Sequence, residues 1–151
     1  LLAELAFGET SEIYKKLVLD EQVVEFLAAD ANVNRDPGLF DVISRVKDPT
    51  KVDYVLGEID RTIAEYQSST TDPALHADLK SRINYSFLMN LDTPDHVAGG
   101  LARIISATGG IVAVDVLLTA YDSINDEEVQ AAAEKYLTPD QRTIAVLKGK
   151  S

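Results

Sequence analysis

The sequence predicts an α+β fold in which helices pack on one face of an antiparallel or mixed sheet. The chain has 151 residues, 46% of them hydrophobic, which suffices for one core and is too little for two ordinary domains. Two runs rich in β-branched residues flank a proline–glycine turn, and the apolar stripes that follow have helical spacing. Residues 1–151 are therefore expected to form a single domain.

The first elements are helical. Residues 1–7 are apolar at helical spacing and end at Gly8, a residue type that commonly follows a helix. Thr10 or Ser11 can cap a short second helix. Its apolar side would carry Ile13, Tyr14, Leu17 and Val18.

A β-hairpin is predicted next. Residues 23–33 are rich in β-branched and small side chains, which favours a strand. Residues 34–38 form a turn, since Pro37 fixes φ and Gly38 is free to adopt positive φ. Residues 39–46 then alternate, and this alternation places Phe40, Val42, Ser44 and Val46 on one face.

Three proline-initiated helices follow, beginning after Asp48, Asp72 and Thr93. Residues 67–71 make a polar break between the first two, and Gly109-Gly110 ends the third. Gly99-Gly100, inside the third helix, is expected to allow close helix packing. The predicted apolar stripes are Val52, Val55, Leu56, Ile59, Ile63 and Tyr66 in the first, Leu75, Leu79, Ile83 and Phe87 in the second, and Val97, Leu101, Ile104 and Ile105 in the third.

The C-terminal third predicts two more helices and a strand. Residues 111–121 read as a helix, and Asn125 with Glu128 has the form of a capping box at the start of another. Residues 138–141 form a turn, and residues 142–147 are predicted as a final strand. Three strands are few for five or six helices, so we expect them to belong to a larger sheet with an exposed edge.

Composition excludes several classes of function. The formal net charge of −11, with scattered lysines and arginines, argues against a nucleic-acid partner. The sequence contains no run of about 18 apolar residues, so no membrane span is predicted. The absence of cysteine excludes disulfides and zinc–thiolate sites. We expect a soluble protein, with the bacterial cytoplasm and periplasm both open. The first residues resemble neither a signal peptide nor a chain start, which predicts a fragment.

No catalytic or metal site is predicted. A hydrolytic zinc site needs about three protein ligands, and the chain has only two histidines, His76 and His96, on different predicted helices. Neither H-E-x-x-H nor H-x-x-E-H is present, so both histidines are interpreted as surface residues.

Other residue types give no catalytic pattern either. Ser106 lacks the setting of a serine nucleophile, and the Gly8–Ser11 segment lacks the lysine of a phosphate loop, so helix capping is its expected role. The neighbouring carboxylates Asp20 and Glu21, and Glu127 and Glu128, are expected to be solvated. Substrate-binding residues stay unknown.

Four segments together resemble the pitrilysin/insulinase-type zinc metallopeptidases, which include the mitochondrial processing peptidase. Residues 11–18 are similar to the family's Ser-x-Leu-Tyr-x-x-Leu helix, and residues 23–46 to the hairpin that follows it. Residues 82–101 resemble its Tyr-Ser-Phe … Leu-Asp-Thr-Pro junction, and residues 126–147 its domain ending. The order and spacing of these segments agree with the family over nearly the whole chain.

The resemblance implies a larger enzyme. Members of this family have two similar α+β halves, or paired subunits, that close around a peptide, and only one half carries the H-x-x-E-H zinc helix. The chain corresponds to the later part of one half, without its first strands. Either the zinc helix lies outside this sequence, or the half never had one. Residues 146–150 favour the second interpretation because they resemble the end of a second half.

One departure concerns substrate binding. The non-zinc half of active members often supplies an arginine and a tyrosine, seven positions apart, that hold the substrate backbone. Val18 and Glu25 occupy the corresponding positions, so this role is not carried over.

The resemblance therefore predicts a non-catalytic domain of a zinc-dependent endopeptidase, which forms a chamber wall and contacts the other half. Its partners would be the zinc-binding half, in the same protein or another subunit, and a peptide substrate, with self-association through the sheet edge as a further option. No cofactor is expected in this segment, and zinc is implied for the catalytic half. The alternatives are an inactive structural or assembly subunit of the same family and a stand-alone interaction module.

Overall fold

One hairpin and a succession of helices make up the fold. The computed structural model describes residues 1–31, 34, 36, 38–70, 72–89, 93–110 and 112–149. The strands are β1 (Val24–Ala31) and β2 (Phe40–Val46), and the helices are α1 (Leu2–Phe7), α2 (Glu12–Tyr14, continued by a π-helical turn over Lys15–Asp20), α3 (Val52–Ser68), α4 (Pro73–Met89), α5 (Pro94–Thr108), α6 (Val112–Ser123) and α7 (Asp126–Tyr136), with 3₁₀ turns at Pro49–Lys51 and Pro139–Gln141. The predicted α+β class is confirmed.

The ends of α1 and α2 follow the sequence signals. α1 stops at Gly8, whose backbone is extended with a φ of −69°. Glycine is required there by space, because an added Cβ would lie 2.4 Å from the carbonyl oxygen of Glu4. Ser11 caps α2 by accepting a hydrogen bond from the backbone N–H of Tyr14 at 3.2 Å. Of the two predicted caps, Ser11 is therefore the one used.

The chain reverses direction between the π-helical turn and β1. Gln22 has a φ of +53°, which lies in the left-handed region. This conformation is energetically unfavourable for a residue that has a Cβ atom. The backbone N–H of Val23 donates to Leu17 at 3.0 Å, and the N–H of Lys47 donates to Val23, also at 3.0 Å. The first bond attaches the start of the hairpin to the preceding helix, and the second joins the two ends of the hairpin.

β1 and β2 form a two-stranded antiparallel sheet, as predicted. Val24 pairs with Val46 and Leu27 with Ser44, with a register irregularity between them. The four residues predicted to share the inner face of β2, Phe40, Val42, Ser44 and Val46, are all partly buried and alternate with exposed neighbours. Asn32 and Val33 of the predicted strand, and Arg35 and Pro37 of the predicted turn at 34–38, lie outside the described residues.

Local capping signals also place the later helices. Asp48 accepts a hydrogen bond from the backbone N–H of Thr50 at 2.9 Å ahead of α3. Thr93 accepts from the N–H of His96 at 3.2 Å at the start of α5, and Gly109 ends that helix with a φ of +87°. The capping box of α7 is complete, because Asn125 and Glu128 each accept a hydrogen bond from the other's backbone N–H.

Among the described residues, the core consists of two clusters that meet at α1. The first cluster packs α1, α2, the inner face of the hairpin and α3 around Phe7, Ile13 and Leu17. The second joins Leu5 of α1 to Leu79 of α4 and Val129 of α7. Four of the six residues in the predicted stripe of α3 lie in or against the first cluster: Val55, Ile59, Ile63 and Tyr66. The other two are partly buried, and the polar Thr62 of the same helix is buried. The side chain of Phe87, predicted for the stripe of α4, lies outside the described part.

Tyr66 of α3 packs against both clusters. Its hydroxyl donates a hydrogen bond to the carbonyl oxygen of Leu5 at 2.8 Å. Burial, with a smaller contribution from the charge of Glu65, raises the pKa of Tyr66 to about 12. The phenol therefore stays protonated, and a donor, over the whole neutral range.

Two sequence expectations are wrong. Residues 142–149 are exposed and have no regular secondary structure, so the strand predicted at 142–147 is absent and the described residues contain two strands instead of three. A strand requires a neighbour for its backbone groups, and no strand of the described chain lies beside this segment. Gly99 and Gly100 were expected to allow close helix packing, but no described atom lies within 4 Å of a Cβ built on either residue.

No single helix among the described residues is long and apolar enough to cross a membrane. α5 and α6 reach that length and apolarity only when taken together, and the pair is bent by 87° at the break between them.

Two glycine-to-alanine substitutions should have opposite effects on stability. Gly8→Ala should lower the free energy of unfolding by about 1–3 kcal/mol, because the new methyl group overlaps the Glu4 carbonyl. Gly57→Ala, in the middle of α3 with nothing within 4 Å, should raise it by about 0.5–1 kcal/mol through helix propensity. Urea denaturation of both variants checks the pair, and an equal effect of the two would contradict the steric account of Gly8.

Candidate functional site

The outer face of the hairpin carries an exposed mixture of charged and apolar side chains. Arg45 pairs with Glu25 across the strands at 3.1 Å, and its guanidinium lies 5.8 Å from the centre of the Phe26 ring. Ile43, which is 58% exposed, lies opposite Ala28 in the register. The inner face is covered by helices, so this is the only side of the described hairpin that presents side chains to another molecule.

The two positions that correspond to the family's substrate-holding pair lie in different surroundings. Val18, in the π-helical turn, is half-buried and packs against the first core cluster. Glu25 is on the exposed face, where Arg45 neutralises its charge. The arrangement does not provide a pair of side chains that could hold a peptide backbone from these positions.

His76 is buried, which corrects its interpretation as a surface residue. The side chain is 5% exposed, and its Nδ1 contacts the carboxylate of Asp126, the first residue of α7. Its Nε2 is buried without a hydrogen-bond partner among the described residues. Local sequence patterns do not signal this contact, since the two residues are 50 positions apart.

His76 belongs to a row of polar side chains on α4 that we call the polar seam: His76, Lys80 and Asn84, spaced four residues apart and so on one face of the helix. The Lys80 ammonium donates to the carbonyl oxygens of Asp122, at 2.8 Å, and Ile124. The Asn84 amide donates to the Asp122 carboxylate at 2.8 Å. The polar seam therefore holds the turn between α6 and α7 at three points.

A cleft of about 300 Å³ lies beside the polar seam. Its lining combines α4 residues with the α6–α7 turn and the first turn of α7, including Glu127. Lys80 and Asp126 are both engaged by protein groups there, and His76 is turned toward Asp126 through Nδ1. The cleft offers a charged lining without a set of converging metal ligands.

A second cleft, of about 220 Å³, lies between α1, α2, α3 and α4. Of its three acidic residues, Glu12 and Glu65 are paired with Lys15 and Arg61 at 2.9 Å each. The third, Asp72, accepts a hydrogen bond from the backbone N–H of Ala74 at 2.9 Å. These pairings leave no pair of carboxylates arranged for general acid–base chemistry.

His96, in contrast to His76, is exposed, as predicted, and lies in the first turn of α5. The two histidines are on separate helices. In the part of the chain that the structure describes, no group of three His, Cys, Asp or Glu side chains could hold a metal ion. The donor set does not fit a hydrolytic zinc site, which needs about three such ligands.

The other residues that the sequence analysis considered for catalysis have structural roles or lie exposed on the surface. Ser11 is a helix cap, and Ser106 is exposed on α5. Glu21 accepts hydrogen bonds from the hydroxyl of Tyr54 at 2.8 and 2.9 Å, and this contact raises the pKa of Tyr54. Glu127 is exposed at the start of α7, where its negative charge interacts favourably with the positive end of the helix dipole.

A further charged group on α3 was not anticipated. Lys16 contacts Glu58 at 2.7 Å, and Arg61 contacts the same carboxylate at 2.8 Å. The hydrogen bond from Lys16 is the main cause that lowers the pKa of Glu58. Because Lys16 and Arg61 are both paired with Glu58, this group attaches the π-helical turn to α3.

Comparison with solved structures identifies the fold. A protease from Helicobacter pylori superimposes with a TM-score of 0.82 at 17% identity, over 93% of this chain and 34% of that one. The peptidase M16 inactive domain from Pseudomonas fluorescens gives 0.75 at 14% identity, over 92% and 33%. A zinc-protease candidate from Bordetella pertussis Tohama I gives 0.75 at 18% identity, over 94% and 78%.

The fold expected from the sequence resemblance, that of a zinc-peptidase domain, is thereby confirmed. The chain spans about a third of the length of the first two structures. No protein-family model and no curated protein matches the sequence.

Two acidic residues in the first turn of α7 provide a test of the His76 contact. Asp126→Ala should lower the free energy of unfolding by about 1–3 kcal/mol, because it leaves a buried imidazole without its partner. Glu127→Ala changes the same charge at the same helix end and should cost less than about 1 kcal/mol. Equal costs in thermal or urea unfolding would show that Asp126 acts only through the helix dipole.

Proposed function

We propose that this chain is a non-catalytic domain of a zinc-dependent endopeptidase, where it forms part of the chamber wall and contacts the zinc-binding half. The observation that carries the proposal is the superposition on the inactive M16 peptidase domain over 92% of the chain. The lack of an H-x-x-E-H motif in the sequence agrees with it. The chain would thus act as one part of a larger enzyme.

The outer face of the hairpin is the proposed chamber wall. A wall of a peptide chamber needs a rigid sheet whose inner side is supported and whose other side is open to the substrate. Helices support the inner face through Val24 and Leu27, while Phe26, Ile43 and the Glu25–Arg45 pair are left exposed. Such a surface can contact peptides of varied sequence through apolar and charged groups together.

Zinc, in this proposal, is held by the other half, where it would activate the attacking water. The residues of this chain do not take part in that step. They would enclose the peptide and exclude bulk solvent, which strengthens electrostatic interactions at the reacting bond.

An inactive structural or assembly subunit is the second candidate. It is favoured by Val18 and Glu25, which occupy the positions of the substrate-holding arginine and tyrosine of active members. Both candidates use the same fold, and they differ in whether a zinc-binding partner gains activity from this chain.

Peptide hydrolysis distinguishes these candidates. The purified chain should not cleave a quenched fluorescent peptide library, with or without added Zn²⁺. Addition of an equimolar zinc half, encoded by an H-x-x-E-H sequence upstream in the same gene or in a neighbouring gene, should produce cleavage that a chelator abolishes. Chelator-sensitive cleavage by the chain alone contradicts the proposal. Complex formation without cleavage supports the structural subunit.

We also propose self-association through the sheet edge. The exposed segment 142–149 carries Ile144 and Val146 at alternate positions, with exposed fractions of 49% and 48%. Alternation of this kind suits a strand that pairs with a sheet edge. A second copy of the chain supplies both the edge and the segment.

Light scattering tests this pairing. The chain should form dimers in a concentration-dependent manner, and Ile144→Lys should shift the midpoint to at least about tenfold higher concentration by placing a charge in the paired edge. Val112→Lys, at an exposed valine of α6, is the matched control and should leave the midpoint unchanged. A strictly monomeric chain at all concentrations would argue against pairing.

A further inference from the structure

α5 and α6 form a helical pair that lies outside both core clusters. α5 packs against α6, and α6 packs against α4. None of the described side chains of α5 is buried, and Val114 is the buried described residue of α6. Among the described side chains, those of residues 94–123 do not contribute to either cluster. We call this helical pair the arm.

The C-terminal end of the arm is held by polar contacts. Lys80 of the polar seam donates to the carbonyl oxygen of Asp122, and Asn84 donates to its side chain, both at 2.8 Å and both in exposed surroundings. A cation beside the last carbonyls of a helix is favourable, but water competes with exposed contacts of this kind. The next residue but one, Ile124, packs on the second core cluster, and His76 fixes the first turn of α7.

The attachment therefore changes character within a few residues. Among the described side chains of the arm, Val114 is the buried one, and exposed hydrogen bonds hold the end of α6 at Asp122. From Ile124 onward, whose carbonyl oxygen also accepts from Lys80, the chain belongs to the buried body. Segments with few buried apolar contacts and solvent-exposed bonds open at lower free energy than the core. We propose that the arm opens as a unit while the body stays folded, and that Lys80 and Asn84 are the latch that keeps it closed.

Hydrogen exchange of the full-length chain, read by mass spectrometry, tests the latch. Lys80→Met keeps the aliphatic stem and removes the donor. Amides within residues 94–123 should then exchange about tenfold faster, while those of β1 and α3 should change less than about twofold. Lys15→Met is the matched control, because it removes an equal charge whose contact, Glu12, lies on α2. It should leave exchange of the arm unchanged.

Two outcomes would overturn the proposal. Equal acceleration throughout the chain would show that the arm and the body open together, and unchanged exchange in residues 94–123 would show that Lys80 does not hold the arm.

A second measurement uses the native latch and avoids any loss of folding by the variant. The chain has no cysteine, so spin labels can be placed through Val116→Cys on the arm and Lys47→Cys on the body, both exposed positions. The distance distribution should broaden in urea before the far-UV circular dichroism changes, since opening preserves the helices. Broadening that coincides with the loss of circular dichroism would contradict an arm that moves as a unit.

Discussion

The contact between Tyr66 and α1 is the constraint on which the rest of the structure depends. α1 has only six residues, yet Leu5 belongs to one core cluster and Phe7 to the other. Tyr66 packs against both clusters and donates its hydroxyl hydrogen to the Leu5 carbonyl. A buried hydroxyl without an acceptor is costly, so this bond fixes the depth and the rotation of α3 relative to α1. The two halves of the core are thereby held as one.

The position of α3 then determines what surrounds it. The first half of α3 contacts the π-helical turn through the ion pair between Lys16 and Glu58. The chain continues from this turn into β1. The second half of α3 packs against α7, where Gln67 donates to the carbonyl oxygens of Ala133 and Leu137. The hairpin consequently has one face covered by helices and one face open. The open outer face is thus a result of how α3 is anchored.

The sequence predicted those features that depend on neighbouring residues. Ser11, Thr93 and Asn125 cap the helices for which they were proposed, because a cap needs only the next three residues. The hairpin face was correct because alternation and register are coupled. The final strand was wrong because a strand exists only beside a partner strand, and periodicity does not report whether one is present.

The polar residues of the interior also show that neighbouring residues do not predict contacts between distant parts of the chain. His76 was interpreted from its immediate neighbours, which lack ligand spacing, while its surroundings are set by Asp126 fifty positions later. An imidazole in a fold related to zinc peptidases suggests a ligand, but here it is half of a pair that joins α4 to α7. Lys80 and Asn84, on the same face, complete the attachment of the α6–α7 turn. In this chain the polar side chains of α4 therefore join helices to one another, and their contacts are set by residues far away in the sequence.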